Sequence, residues 1–165
     1  MRRLGVAVLA LAPTLSAGPA SALEFLESMT SCQAGAGTAT FALDYSQFGV
    51  ANVSSSAVSV ECPLNLSDLN PRNNVVTLAR TVVFDRSTTS DIACDLQFTD
   101  FSGRAVFTTS VHSTGGGPGS GPQELTYPFS VFPFAVAYWR VHCTIPPVES
   151  GAFSHVVSTA LGTSE

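Results

Sequence analysis

Ile92-Ala93-Cys94-Asp95-Leu96-Gln97-Phe98-Thr99, the turn Asp100-Phe101-Ser102-Gly103, and the return Arg104-Ala105-Val106-Phe107-Thr108-Thr109-Ser110-Val111-His112 decide the fold class. Ile92, Cys94, Leu96 and Phe98 fall on one face, and Asp91, Asp95, Gln97 and Thr99 on the other, a period of two that belongs to a half-buried strand. Asp, Ser and Gly supply the turn. Beyond it, Ala105, Phe107, Thr109 and Val111 share a side, opposed by Arg104, Thr108, Ser110 and His112. The stretch reads as an antiparallel hairpin.

The same alternation continues outward in both directions. Ala39, Phe41 and Leu43 oppose Thr38, Thr40 and Ala42, and Val58, Val60 and Cys62 oppose Ala57, Ser59 and Glu61. Residues 75–84 are β-branched but apolar on both faces, which predicts a covered central strand or one with a bulge near Arg80. Leu125, Tyr127, Phe129 and Val131 share a face, and Pro128 directs that segment to a sheet edge. Phe134–Ile145 is the strongest strand, with Ala135, Ala137, Trp139, Val141, Cys143 and Ile145 inward. A last strand is expected over Ala152–Thr159, after Pro146-Pro147. Only Leu23–Met29 could start a helix, and it is too short to extend. Eight or so short strands punctuated by turns predict an all-β antiparallel β-sandwich, with jelly-roll and immunoglobulin-like topologies both open.

The chain begins with an address. Arg2 and Arg3, an apolar run from Leu4 to Leu15, and Ala20-Ser21-Ala22 form a signal peptide of residues 1–22, cleaved after Ala22. The run is shorter than the roughly 20 residues needed to cross a bilayer, and no second run follows. The remaining residues 23–165 are expected to form one domain, secreted or periplasmic. Four cysteines remain in it: Cys32, Cys62, Cys94 and Cys143. In an exported chain these read as disulfides. Their spacing has no Cys-x-x-Cys knuckle for zinc. An antiparallel pairing of segments near 38–43 and 57–62 would bring Cys32 to Cys62. Strands nested about the glycine-rich stretch 115–122 would bring Cys94 to Cys143.

Composition narrows the function. Charged residues make up 12% of the chain, all seven basic residues are Arg, and the net charge is -5. Loss of Arg2 and Arg3 leaves five Arg against twelve acids, or -7. With no lysine, the P-loop, the kinase lysine and Schiff-base chemistry are excluded. The acidic balance argues against nucleic acid and against a polybasic membrane contact. The missing lysine, with abundant Ala, Gly and Arg, points to a GC-rich bacterial genome.

Gly49-Val50-Ala51-Asn52-Val53-Ser54, Val58-Ser59-Val60-Glu61-Cys62-Pro63-Leu64, Val82-Val83-Phe84-Asp85 and Cys94-Asp95-Leu96 occur in an order that resembles a group of small exported bacterial β-sandwich proteins with no assigned function. The resemblance covers residues 45–98. It implies an all-β secreted fold with paired cysteines and carries no catalytic residue across.

Candidate chemistry is sparse. His112, His142 and His155 are the side chains that titrate near neutrality. No Gly-x-Ser-x-Gly elbow, His-x-His pair or His-Glu-x-x-His motif accompanies them, and no cofactor motif occurs. Asp91 and Asp95 share a strand face about 13 Å apart, too far for a glycosidase pair. Asn52-Val53-Ser54 and Asn65-Leu66-Ser67 match the glycosylation acceptor pattern, although turn chemistry accounts for both asparagines. Tyr138, Arg140 and His142 form an outward stripe on the strongest strand, the aromatic and guanidinium composition of a binding surface. The alternative is that a loop or the C-terminal strand covers the stripe. The sequence therefore predicts an exported, non-enzymatic binding or structural module, for carbohydrate or protein, with Tyr138, Arg140 and His142 at its ligand face. A small hydrolase or metal enzyme built on His112 or His142 is the competing expectation.

Overall fold

A computed structural model describes residues 23–28, 32–64, 75–100, 102, 104–128 and 138–164. The signal peptide, the Asn65 motif and residues 134–137 of the expected long strand lie outside the described residues. Eleven strands are described: β1 Leu23–Ser28, β2 Gln33–Ala34, β3 Leu43–Ser46, β4 Gly49–Asn52, β5 Val58–Leu64, β6 Val75–Phe84, β7 Ala93–Thr99, β8 Ala105–His112, β9 Gln123–Thr126, β10 Tyr138–Ile145 and β11 His155–Ser164. They form two antiparallel sheets. The five-stranded sheet runs β2-β5-β10-β7-β8, and the six-stranded sheet runs β3-β4-β11-β6-β9, with β1 also paired to β11. The protein is the expected antiparallel β-sandwich.

The hairpin read from the sequence is β7 and β8, paired Cys94 to Val111 and Leu96 to Thr109. Asp100 makes its turn: one carboxylate oxygen accepts the Ser102 and Arg104 amides and the Ser102 hydroxyl. Between the sheets, Trp139, Val141, Cys143 and Ile145 of β10 are buried beside Cys94, Leu96 and Phe98 of β7 and Val60 and Cys62 of β5. The Phe98 ring centroid lies 4.0 Å from that of Trp139 and 5.2 Å from that of Phe107. From the other sheet, Val50, Val76, Ala79, Val83, Val156 and Leu161 close the same core. Three buried hydroxyls of that layer satisfy one another, Thr81 Oγ1 lying 2.9 Å from both Tyr127 Oη and Thr159 Oγ1.

The disulfides join Cys32 to Cys62 and Cys94 to Cys143. Both link neighbouring strands of the five-stranded sheet. Cys94 sits directly opposite Cys143 in the ladder, and the Gln33–Glu61 register carries Cys32 to Cys62.

Local assignments differ from expectation in four places. Residues 38–43 do not form the partner of β5; Gln33–Ala34 does, while Thr40–Ala42 is a single 3-10 turn. Leu23–Ser28 is a strand instead of a helical start, because β11 offers it an antiparallel edge. The last strand begins at His155: Glu149 and Ala152 close a turn on each other, and the Ser154 hydroxyl accepts the Arg86 amide. The irregularity in β6 lies at Thr77–Leu78, where Gly162 pairs Leu78 but Thr163 pairs Val76. That extra residue lets Val76 and Ala79 both point inward, so the strand reads as apolar on two faces.

Candidate functional site

Alternation along β10 sets Tyr138, Arg140 and His142 on the solvent face of the five-stranded sheet, opposite the Trp139 and Cys143 core side. Register then extends the stripe into rows across the sheet. His142 lies between Glu61 of β5 and Asp95 of β7, with Gln33 and Ser110 at the ends; Arg140 lies between Pro63 and Gln97. No described strand covers these rows. Tyr138 is 66% exposed.

The polar groups are held in a fixed pattern. Arg140 Nε donates to Gln97 Oε1 at 2.8 Å, and its Nη1 reaches Glu61 Oε2 at 3.4 Å. Both partners of the ion pair are about two-fifths exposed, where such a pair contributes about 0–1 kcal/mol and can rearrange around a ligand. Gln33, Glu61, Pro63 and Arg140 line a shallow pocket of about 200 Å³.

The residues of the competing enzymatic reading do not form a catalytic chain. Ser110 Oγ donates to Asp95 Oδ1 at 2.6 Å, while His142 Nδ1 stands 3.8 Å from Asp95 Oδ2. The acid is therefore central, and the hydroxyl proton goes to a carboxylate instead of an imidazole, the reverse of what an activated serine needs. A cleft between β8 and β9 brings Ser110, His112 and Glu124 together, but Ser110 is committed to Asp95 and Glu124 to Arg80 at 2.7 Å. Among the described residues no group of three His, Cys, Asp or Glu side chains could hold a metal ion.

Asn52 is more than a turn residue. Its side chain is fully buried, with Nδ2 donating to the carbonyls of Ser56, Ile145 and Pro146 and Oδ1 accepting the Ser54 amide and hydroxyl. The glycosylation acceptor atom is thus used inside the fold.

The structure also assembles a second concavity, on the outer face of the six-stranded sheet, that sequence reasoning missed. Phe48, Phe84, Arg86 and His155 line a pocket of about 230 Å³. His155 is the register partner of Phe84 and of Ala51, and Ala51 is that of Asp44. Phe48 occupies the two-residue tip of the β3–β4 hairpin. Gly49 ends that tip at φ +106, and its backbone passes so close to Val156 that no side chain would fit. Arg86 lies over the Phe84 ring, 5.3 Å from its centroid, and donates to the Pro118 carbonyl. Burial holds the His155 imidazole below its ordinary 6.5, aided by the Arg86 charge and opposed by the Phe153 carbonyl and by Asp44. No sequence signal joins these four side chains, which come from three separated segments.

No protein-family model and no curated protein matches the sequence. Among solved structures, the xylan-binding module CBM15 superposes with a TM-score of 0.52 at 12% identity, over 86% of this chain and 97% of that one. The two share a fold. The CBM36-1 domain of a multidomain xylanase from the hindgut metagenome of Trinervitermes trinervoides matches with a TM-score of 0.47 at 13% identity, over 85% and 97%. A family two carbohydrate esterase from Cellvibrio japonicus matches with a TM-score of 0.46 at 8% identity, over 86% of this chain but 34% of the esterase. This chain therefore spans about a third of the esterase's length.

Proposed function

We propose that this protein is an exported, non-catalytic carbohydrate-binding module whose ligand lies along the outer face of the five-stranded sheet. The observation that carries the reading is Tyr138, an uncovered aromatic ring heading a stripe of planar hydrogen-bonding groups. A flat ring offers an apolar face to the C–H face of a pyranose, and Arg140, Gln97, Glu61 and Gln33 offer donors and acceptors to its hydroxyls. His142 and Asp95 extend the same row. A sandwich shared with a xylan-binding module supports, by analogy of fold, a polysaccharide as the ligand class. Two buried disulfides support an oxidising compartment, in line with a signal peptide cleaved after Ala22 and a single domain over residues 23–165.

The test is affinity electrophoresis through gels containing soluble xylan, mixed-linkage glucan or no polysaccharide. Retardation by a polysaccharide should be lost in a Tyr138→Ala, Arg140→Ala variant, whose melting temperature should stay within about 2 °C of the parent because both side chains are at the surface. A collapse in melting temperature would mean that the stripe is structural. Retardation unchanged in the variant would remove these residues from the site.

A further inference from the structure

The pocket on the six-stranded sheet holds a guanidinium that no described carboxylate answers. Arg80 and Arg140 are each paired with a carboxylate. Arg86 has no carboxylate partner among the described residues; its guanidinium reaches only the Pro118 carbonyl and the Phe84 ring. The neighbouring Asp85 cannot supply one, because its buried carboxylate is turned inward to Ser87, Ser113 and Ser154. Asp44 stands at the far end of the row, three strands from Phe84. An uncompensated guanidinium in a protein of net charge -5 is a local site for an anion.

Two further groups define the rest of the ligand. The Phe48 ring stands 64% exposed at the hairpin tip, a flat apolar surface beside the cation. The His155 ring lines the same pocket, an imidazole edge that a hydroxyl can meet. At about 230 Å³, the space falls below the roughly 300 Å³ at which drug-sized ligands begin to fit. It admits one ring.

The geometry points to a second binding site, for a single sugar ring bearing a carboxylate, a uronic-acid residue. Its carboxylate would meet Arg86, its ring face Phe48, and a hydroxyl the His155 imidazole. The choice of a sugar ring rests on the carbohydrate-binding reading above, whereas the choice of an anion rests on Arg86 alone.

Glucuronate and glucose are the probes, titrated into the 15N-labelled protein and followed by amide chemical shifts. Glucuronate should give saturable shifts at Phe48, Phe84, Arg86 and His155. Glucose should bind about tenfold or more weakly, and Arg86→Gln should bring glucuronate down to the level of glucose. Because Arg86 also holds the loop at Pro118, Phe48→Ala provides a second reading. It should weaken glucuronate binding several-fold with the 115–122 amides unmoved. Equal affinity for the two sugars, shifts that map to Tyr138 instead, or no saturable shift would each overturn the site. Gel retardation of Arg86→Gln by neutral polysaccharide separates the two proposals: retained retardation with lost glucuronate binding assigns the two ligands to opposite faces. Retardation lost in Arg86→Gln while Tyr138→Ala keeps it would sink the five-stranded face instead.

Discussion

Replacing Cys94 and Cys143 together by Ala tests how far the sandwich depends on its cross-strand bridges. The bridge closes a loop with a sequence separation of 49, and Cys32–Cys62 one of 30. In the chain-entropy description these loops correspond to about 4.1 and about 3.7 kcal/mol at 25 °C. The loops do not overlap in sequence, so the two contributions should add. For the 143 residues from 23 to 165, a melting entropy near 2.1 cal/mol/K per residue gives about 0.30 kcal/mol/K. The Cys94→Ala, Cys143→Ala protein should then melt about 14 °C below the parent, and the Cys32→Ala, Cys62→Ala protein about 12 °C below. Together the losses reach about 8 kcal/mol, within the 5–15 kcal/mol that a whole domain usually has, so the four-fold variant should be largely unfolded at 37 °C. Differential scanning calorimetry without reductant reads all three. Losses below about 4 °C in each double variant, or a four-fold variant no worse than either double one, would refute the loop-entropy reasoning.

Two further outcomes follow from buried groups. Asn52→Ala removes the partner of three carbonyls and of the Ser54 amide, and urea unfolding should show a loss of about 3 kcal/mol or more, because each orphaned buried group costs about 1–3 kcal/mol; a loss below about 1 kcal/mol would mean that water replaces the clamp. His155 is held below 6.5, so in the window just under that value the unfolded chain binds the proton that the folded chain refuses, and stability falls as pH drops through it. Urea midpoints measured from pH 7 to pH 5 should decline less in His155→Gln than in the parent, and parallel declines would show that the imidazole is not the group responsible.

What the sequence made legible was what lies within one strand or one hairpin. The alternation from Ile92 to Phe98 and from Trp139 to Ile145 reported burial directly, because neighbouring side chains on a strand must face opposite ways. Thr99, read as outward, is buried and Ala105, read as inward, is exposed, because the register shifts after Phe98. The Cys94–Cys143 pairing was expected for the wrong reason: β8 and β9 do not nest about 115–122 but lie in different sheets, and β10 returns directly beside β7. Cys32 reached Cys62 through Gln33–Ala34, two residues that carry no period of their own, so the partner strand was placed too late in the chain. A bulge near Arg80 was one of two readings of the doubly apolar strand, and it lies at Thr77–Leu78; a shifted phase looks the same as a strand covered on both sides, so the sequence left the two open. Tyr138, Arg140 and His142 could be placed outward from β10 alone. Phe48, Phe84, Arg86 and His155 could not be joined, since their pocket exists only through the His155–Phe84 register and the tip at Gly49.

The central claim is that the outer face of the five-stranded sheet binds polysaccharide through Tyr138. Isothermal titration of the protein and of Tyr138→Ala with oligosaccharides from the polysaccharide that retards it measures this most directly. The parent should give a saturable isotherm, and the variant an affinity lower by about tenfold or more. Equal affinities for the two proteins would contradict it.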